Sequence, residues 1–135
     1  MDFLTTMTPV QAAAMNIGLL ILLMMALKMY VGGRRGKLKL PSGQTNEEFN
    51  LAQRVQMNAV EDVPVLMVGI GALAALGMAA WYIHMVGLGL LVARIMHATG
   101  LARSNGITIG RLVGTIGTML AYLAIAAPLL VHAFG

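Results

Sequence analysis

Apolar residues run almost unbroken through four stretches of the chain, about 10–31, 52–80, 85–101 and 107–133, with short polar segments between them. A helix needs roughly 20 such residues to cross a hydrocarbon core of about 30 Å, and each stretch is close to that length. The pattern predicts a single all-α domain over residues 1–135, an integral membrane four-helix bundle. Residues 1–8 form a polar lead, and Pro9 suits a helix start because its missing N–H would be unpaired there anyway. The run through Leu19-Leu-Ile-Leu-Leu-Met-Met25 lacks a basic leader and is too long for a signal peptide, so a retained span is expected.

Punctuation between the runs is equally readable. Gly32-Gly33-Arg34-Arg35-Gly36 and then Pro41-Ser42-Gly43 predict a loop. Asn46 followed by Glu47-Glu48 predicts a capped start to a second helix that reaches Ala80 and bends at Pro64. Trp81, Tyr82 and His84 are expected at the far interface, as an aromatic belt. Asn105-Gly106 predicts the last turn.

Composition supports the same class and narrows the chemistry. Only 10% of residues are charged, against about 25% in a soluble domain. With no cysteine, disulfides, thiolate metal sites and a cysteine nucleophile are excluded, so any thiol must arrive with a ligand. A net charge of +4 could suggest nucleic acid, but the positions of the cations argue otherwise. Lys28, Arg34, Arg35, Lys37, Lys39, Arg54, Arg94, Arg103 and Arg111 all fall at one end of the expected bundle. The positive-inside rule then puts the first and third loops in the cytoplasm and both termini outside it. Anionic lipid headgroups, with no nucleic acid, are the expected partners of that basic end.

Charge inside the apolar runs is where function is sought. Arg54, Asn58 and Glu61 share one face of the second helix. A charge at bilayer depth costs about 2.5–3.5 kcal/mol, so this stripe should face a cavity or another helix. It could equally be structural, with Arg54 reaching the interface and Glu61 pairing to a neighbouring helix. Asp62 points about 100° away from Glu61 and needs its own partner, for which a subunit contact is one option. The third span places Arg94 and His97 on one face; a lone histidine there is more often a packing residue than a ligand, and no metal site is expected. Thr108, Arg111, Thr115, Thr118 and Tyr122 make a polar stripe on the fourth span. Gly110, Gly114 and Gly117 beside it make a small-residue face for close helix approach. This surplus of guanidinium suits an anionic ligand carrying carboxylates, with Glu61 available to an ammonium. Such a ligand would come from the cytoplasm and meet lipid-dissolved partners along the outer faces.

Arg54-x-Gln56-x-Asn58-x2-Glu61-x2-Pro64, followed by Arg94-x2-His97 and Ala102-Arg103-Ser104, resembles the MAPEG family, the membrane-associated proteins in eicosanoid and glutathione metabolism. The resemblance covers most of the chain and is most specific in the second span. It departs at Asp62 and Leu101, where tyrosines are common in leukotriene-type members, and in a longer interval from Ser104 to Arg111. It implies a homotrimer in a bacterial inner membrane, with glutathione bound as co-substrate between subunits near the cytoplasmic side. Arg54, Gln56, Asn58, Glu61, Arg94, His97, Arg103 and Ser104 are then the expected binding residues. Arg111 is the candidate for the catalytic arginine that stabilises the thiolate. The implied activity is transfer to lipophilic electrophiles or reduction of lipid hydroperoxides; the alternative is a non-catalytic lipid-binding scaffold of the same fold. A small transporter would require an acidic coupling residue in the first span, and residues 10–31 contain none.

Overall fold

The computed structural model describes residues 2–104 and 106–135, and every regular element among them is a helix. A short α1 (Asp2–Thr6) precedes α2 (Pro9–Lys37), α3 (Glu47–Ala75), α4 (Ala80–Arg103) and α5 (Ile109–Phe134). Each of these last four is long and apolar enough to cross a membrane. The protein is thus the all-α membrane bundle that the hydrophobic pattern predicts.

Helices α3 and α4 form the centre, each packing against the other and against both α2 and α5. On α3 the buried residues Ala52, Val55, Ala59, Val63, Leu66, Ile70 and Leu73 recur in steps of three and four, which keeps them on one stripe of the helix. From Val55 onward they meet Leu20 of α2 and Ile83 and Leu90 of α4 in a single core. The outward faces carry large apolar side chains instead; Val68 is 75% exposed, and Ile21, Val92 and Leu123 are exposed too. Acyl chains solvate such a surface, and the helices satisfy their own backbone groups, as the bilayer interior demands.

The starts of α2 and α3 follow their local chemistry. Thr8 and Gln11 form a reciprocal capping box ahead of Pro9, and the Asn46 side chain accepts from the Phe49 N–H at 2.8 Å. The four orphan N–H groups of a helix start are costly in a membrane protein, and these caps satisfy some of them.

Other boundaries differ from the sequence pattern. Helix α2 continues through Gly32, Gly33 and Gly36 to Lys37, where a loop was expected. Glycine disfavours a helix interior by up to about 1 kcal/mol per residue, but here the next segment holds the turn in place. Arg34 pairs with Glu48. Arg35 donates to the carbonyls of Pro41 and Gln44 at 2.7 and 2.8 Å and lies 4.1 Å over the Phe49 ring. Helix α3 runs unbroken past Pro64, whose ring is on the exposed side, and stops at Ala75 rather than Ala80. Gly77 adopts φ +78°, while the N–H groups of Gly77 and Met78 bond back to Ala74 and Leu73. That is the paired C-terminal closure which glycine permits at no steric cost. Helix α4 therefore starts at Ala80, ahead of the expected Met85. Met1 and the Asn105 half of the predicted Asn105-Gly106 turn lie outside the described residues.

The early start of α4 changes what its first turns do. Trp81 stays exposed, but the Tyr82 hydroxyl turns inward to donate to the Ala124 carbonyl at 2.6 Å. His84 is buried inside the protomer, and its Nδ1 sits 3.1 Å from Nδ2 of Asn16. Asn16 also donates to the Ala12 carbonyl at 2.8 Å. This amide–imidazole pair ties α2 to α4 by the polar contact that membrane helices use in place of a hydrophobic driving force.

The small-residue face of α5 does what its spacing predicts. A Cβ added at Gly114 would lie 2.5 Å from the Ala93 carbonyl oxygen. The α4 and α5 backbones are in direct contact there, and only hydrogen fits between them.

Candidate functional site

The polar stripe of α3 opens onto a cleft at the basic end of the bundle. Arg54, Met57, Asn58 and Glu61 of α3 form one wall, and Leu101 of α4 and Arg111 of α5 complete it around about 190 Å³. Their juxtaposition has a local cause on each element. On α3 the three polar residues recur at i, i+4 and i+7, one face of a helix. On α5 the Thr108 side chain caps the helix and accepts from the Arg111 N–H at 3.2 Å, which places Arg111 in the first turn. The Arg111 Nη1 also donates to the Gly106 carbonyl at 3.2 Å, anchoring the guanidinium at the cleft's rim.

Behind this cleft lies a second, buried layer of polar groups. Arg94 of α4 is 1% exposed. Its Nη2 donates to Asn58 Oδ1 at 2.7 Å, and its Nη1 donates to Thr118 Oγ1 at 3.3 Å. Nη1 also lies 3.5 Å from Asp62 Oδ2. Asp62 in turn accepts from the Tyr122 hydroxyl at 2.8 Å. The partner that Asp62 requires is therefore Arg94, within the same protomer. Asp62 faces Arg94, and the residues lining the cleft include two cations, Arg54 and Arg111, and one anion, Glu61.

A comparison with known families bears on this arrangement. The sequence profile of the MAPEG family matches residues 13–131. The chain belongs to the MAPEG family. Its members include glutathione transferases and peroxidases as well as non-catalytic proteins. No curated protein matches the chain.

Within this MAPEG protein the residues singled out in the sequence divide into three groups. Arg54, Asn58, Glu61 and Arg111 come together around the cleft. Arg94 and His97 do not open onto it, since they are 1% and 3% exposed inside the protomer. Gln56, Arg103 and Ser104 are elsewhere. Gln56 lies about 200° around α3 from Arg54, while Arg103 and Ser104 are exposed at the end of α4. The Ser104 hydroxyl accepts from the Gly106 N–H at 3.0 Å, a contact that shapes the connection to α5. Three polar contacts escaped the sequence pattern: the Arg94–Asp62 pair, its Tyr122 anchor, and the Asn16–His84 tie. A charged residue in each of two apolar helices was the available signal for the first.

A separate apolar groove runs between α4 and α5, lined by Met85, Gly89, Leu90, Gly117, Leu120 and Ala124, with a volume of about 340 Å³. Gly117 is two turns of α5 or less beyond Arg111, about 9 Å along the helix axis at 1.5 Å per residue.

Proposed function

We propose that this protein is a membrane-embedded glutathione-dependent transferase or peroxidase acting on lipophilic electrophiles or lipid hydroperoxides. The observation that carries the proposal is the cleft formed by Arg54, Asn58, Glu61 and Arg111. Glutathione has two carboxylates and one ammonium. The Arg54 guanidinium and the Asn58 amide offer donors to the carboxylates, Glu61 accepts from the ammonium, and Arg111 is placed for the sulfur. The chain has no cysteine, so the reacting thiol comes with the peptide.

The protomer supplies only part of the binding wall. A cleft of about 190 Å³ is smaller than the roughly 300 Å³ at which small-molecule sites begin. Arg54 and Glu61 are exposed on a membrane helix, a position that is costly unless a ligand or another chain covers it. A homotrimer with the thiol peptide between subunits meets both demands. The basic residues at the α2–α3 connection and at the end of α4 favour a cytoplasmic position for this end, with the termini on the opposite side of a bacterial inner membrane.

In this scheme Arg111 acts on the sulfur. A free thiol has a pKa of about 8.5, and lowering it by two units takes about 2.7 kcal/mol, within reach of a desolvated guanidinium. The thiolate then forms a bond to the electrophilic carbon as its leaving group departs, or attacks the terminal hydroperoxide oxygen to form an S–O bond as the O–O bond breaks and the alkoxide leaves to take up a proton; a second glutathione thiol then displaces water from the sulfenic acid to give the disulfide. The α4–α5 groove presents the lipophilic partner. That same groove favours a second proposal, a non-catalytic lipid-binding protein of the MAPEG fold, which predicts lipid occupancy and no turnover.

Calorimetry in detergent tests the leading proposal. Glutathione should bind saturably to the purified protein, and Arg54→Ala should weaken that binding by about tenfold or more, as expected for one charge-assisted contact. A titration with no saturable heat would defeat it.

A further inference from the structure

The hydrogen bonds of the buried layer determine which atoms the cleft presents. A guanidinium has donors and no acceptor. The Asn58 atom 2.7 Å from Arg94 Nη2 must therefore be the carbonyl oxygen, and the NH₂ of that amide is the part left to the cleft. Arg94 is in turn fixed from behind. The Thr118 hydroxyl donates to the Gly114 carbonyl at 2.7 Å, so it meets Arg94 Nη1 through a lone pair. Asp62 offers Oδ2 to Arg94 while its Oδ1 accepts from Tyr122. Tyr122 on α5, Asp62 on α3, Arg94 on α4 and Asn58 on α3 thus form one continuous chain ending at the cleft.

We propose that Asp62 and Tyr122 are positioning residues which fix Arg94 and, through it, lock Asn58 as a donor toward the bound ligand. The proposal rests on the cleft being the ligand site. Without the lock, Asn58 could turn either its oxygen or its nitrogen outward, and half of those orientations would set an oxygen against a ligand carboxylate. With it, the amide is aimed before the ligand arrives, and the ligand gains the contact with no reorientation. A purely structural role for the same residues would hold the helices together without affecting what the cleft binds.

A double-mutant cycle separates the two roles. Tyr122→Phe removes one hydrogen bond and keeps the ring, so the bundle should still fold. Glutathione is titrated by calorimetry into the wild-type protein, Tyr122→Phe, Asn58→Ala and the double variant in one detergent. Tyr122→Phe is expected to weaken binding by about 3- to 10-fold, in the lower part of the range for coupled neighbours, and to add nothing in the Asn58→Ala background. Unchanged affinity in Tyr122→Phe, or the same loss in both backgrounds, overturns the proposal. Lack of binding by the wild type would instead remove the cleft assignment. The lock is then judged on a density map of ligand-free Tyr122→Phe, where Arg94 and Asn58 should separate; if they remain in hydrogen-bond contact, the lock is refuted.

Discussion

Arg94→Leu is expected to destabilise the bundle by about 3–5 kcal/mol, the cost of leaving one member of a buried ion pair without the other. Three helices meet at this guanidinium. It reaches Asn58 and Asp62 on α3 and Thr118 on α5 from its own place on α4. Leucine fills much of the space but strands the Asp62 carboxylate inside an apolar bundle. Because the Asp62 side chain keeps 22% of its exposure, the loss should fall toward the lower end of that range. Replacing both residues, Arg94→Leu with Asp62→Leu, removes the stranded charge, and such swaps of a whole pair are often neutral or better. The double variant should thus be more stable than the single one. Unfolding midpoints in a denaturing-detergent titration measure both; an Arg94→Leu midpoint equal to wild type would show that the pair carries no structural weight.

The second large effect concerns the sulfur. In Arg111→Ala the ultraviolet thiolate absorbance of bound glutathione should vanish at neutral pH. Restoring a thiol pKa by two units lowers the thiolate fraction by up to about 100-fold. Affinity should fall much less, because Arg54, Asn58 and Glu61 still line the cleft. A variant that retains the thiolate signal would move thiol activation to another group, with Arg103 the next cation to test.

The bundle and half of the cleft were legible because they depend on local periodicity. Arg54, Asn58 and Glu61 repeat with the helical period, so their common face follows from spacing alone. The small face of Gly110, Gly114 and Gly117 is legible for the same reason. What escaped depends on contacts between distant elements. Tyr122 and Asp62 lie on different helices, and no spacing rule relates them. Asn16 is one amide in a long apolar run, where hydropathy averages it away; only the early start of α4 brings His84 against it. The glycines after Val31 argue locally for a loop, yet Arg34 and Arg35 find partners in the following segment that hold the helix to Lys37. Tertiary contacts override propensity there. His97 and Arg94 match the family pattern at the level of sequence, but burial places them behind the cleft. Matching a motif does not show which of its residues line the cleft and which are buried behind it.

One end of this bundle is proposed to hold a thiol peptide between Arg54, Asn58, Glu61 and Arg111. A density map of the protein with glutathione bound tests it most directly. The expected map shows a peptide in that cleft, its ammonium at Glu61, its carboxylates at Arg54 and the Asn58 nitrogen, and its sulfur nearest Arg111, with a second subunit closing the site. Density for the peptide elsewhere, or a cleft filled by lipid while glutathione is saturating, would contradict it.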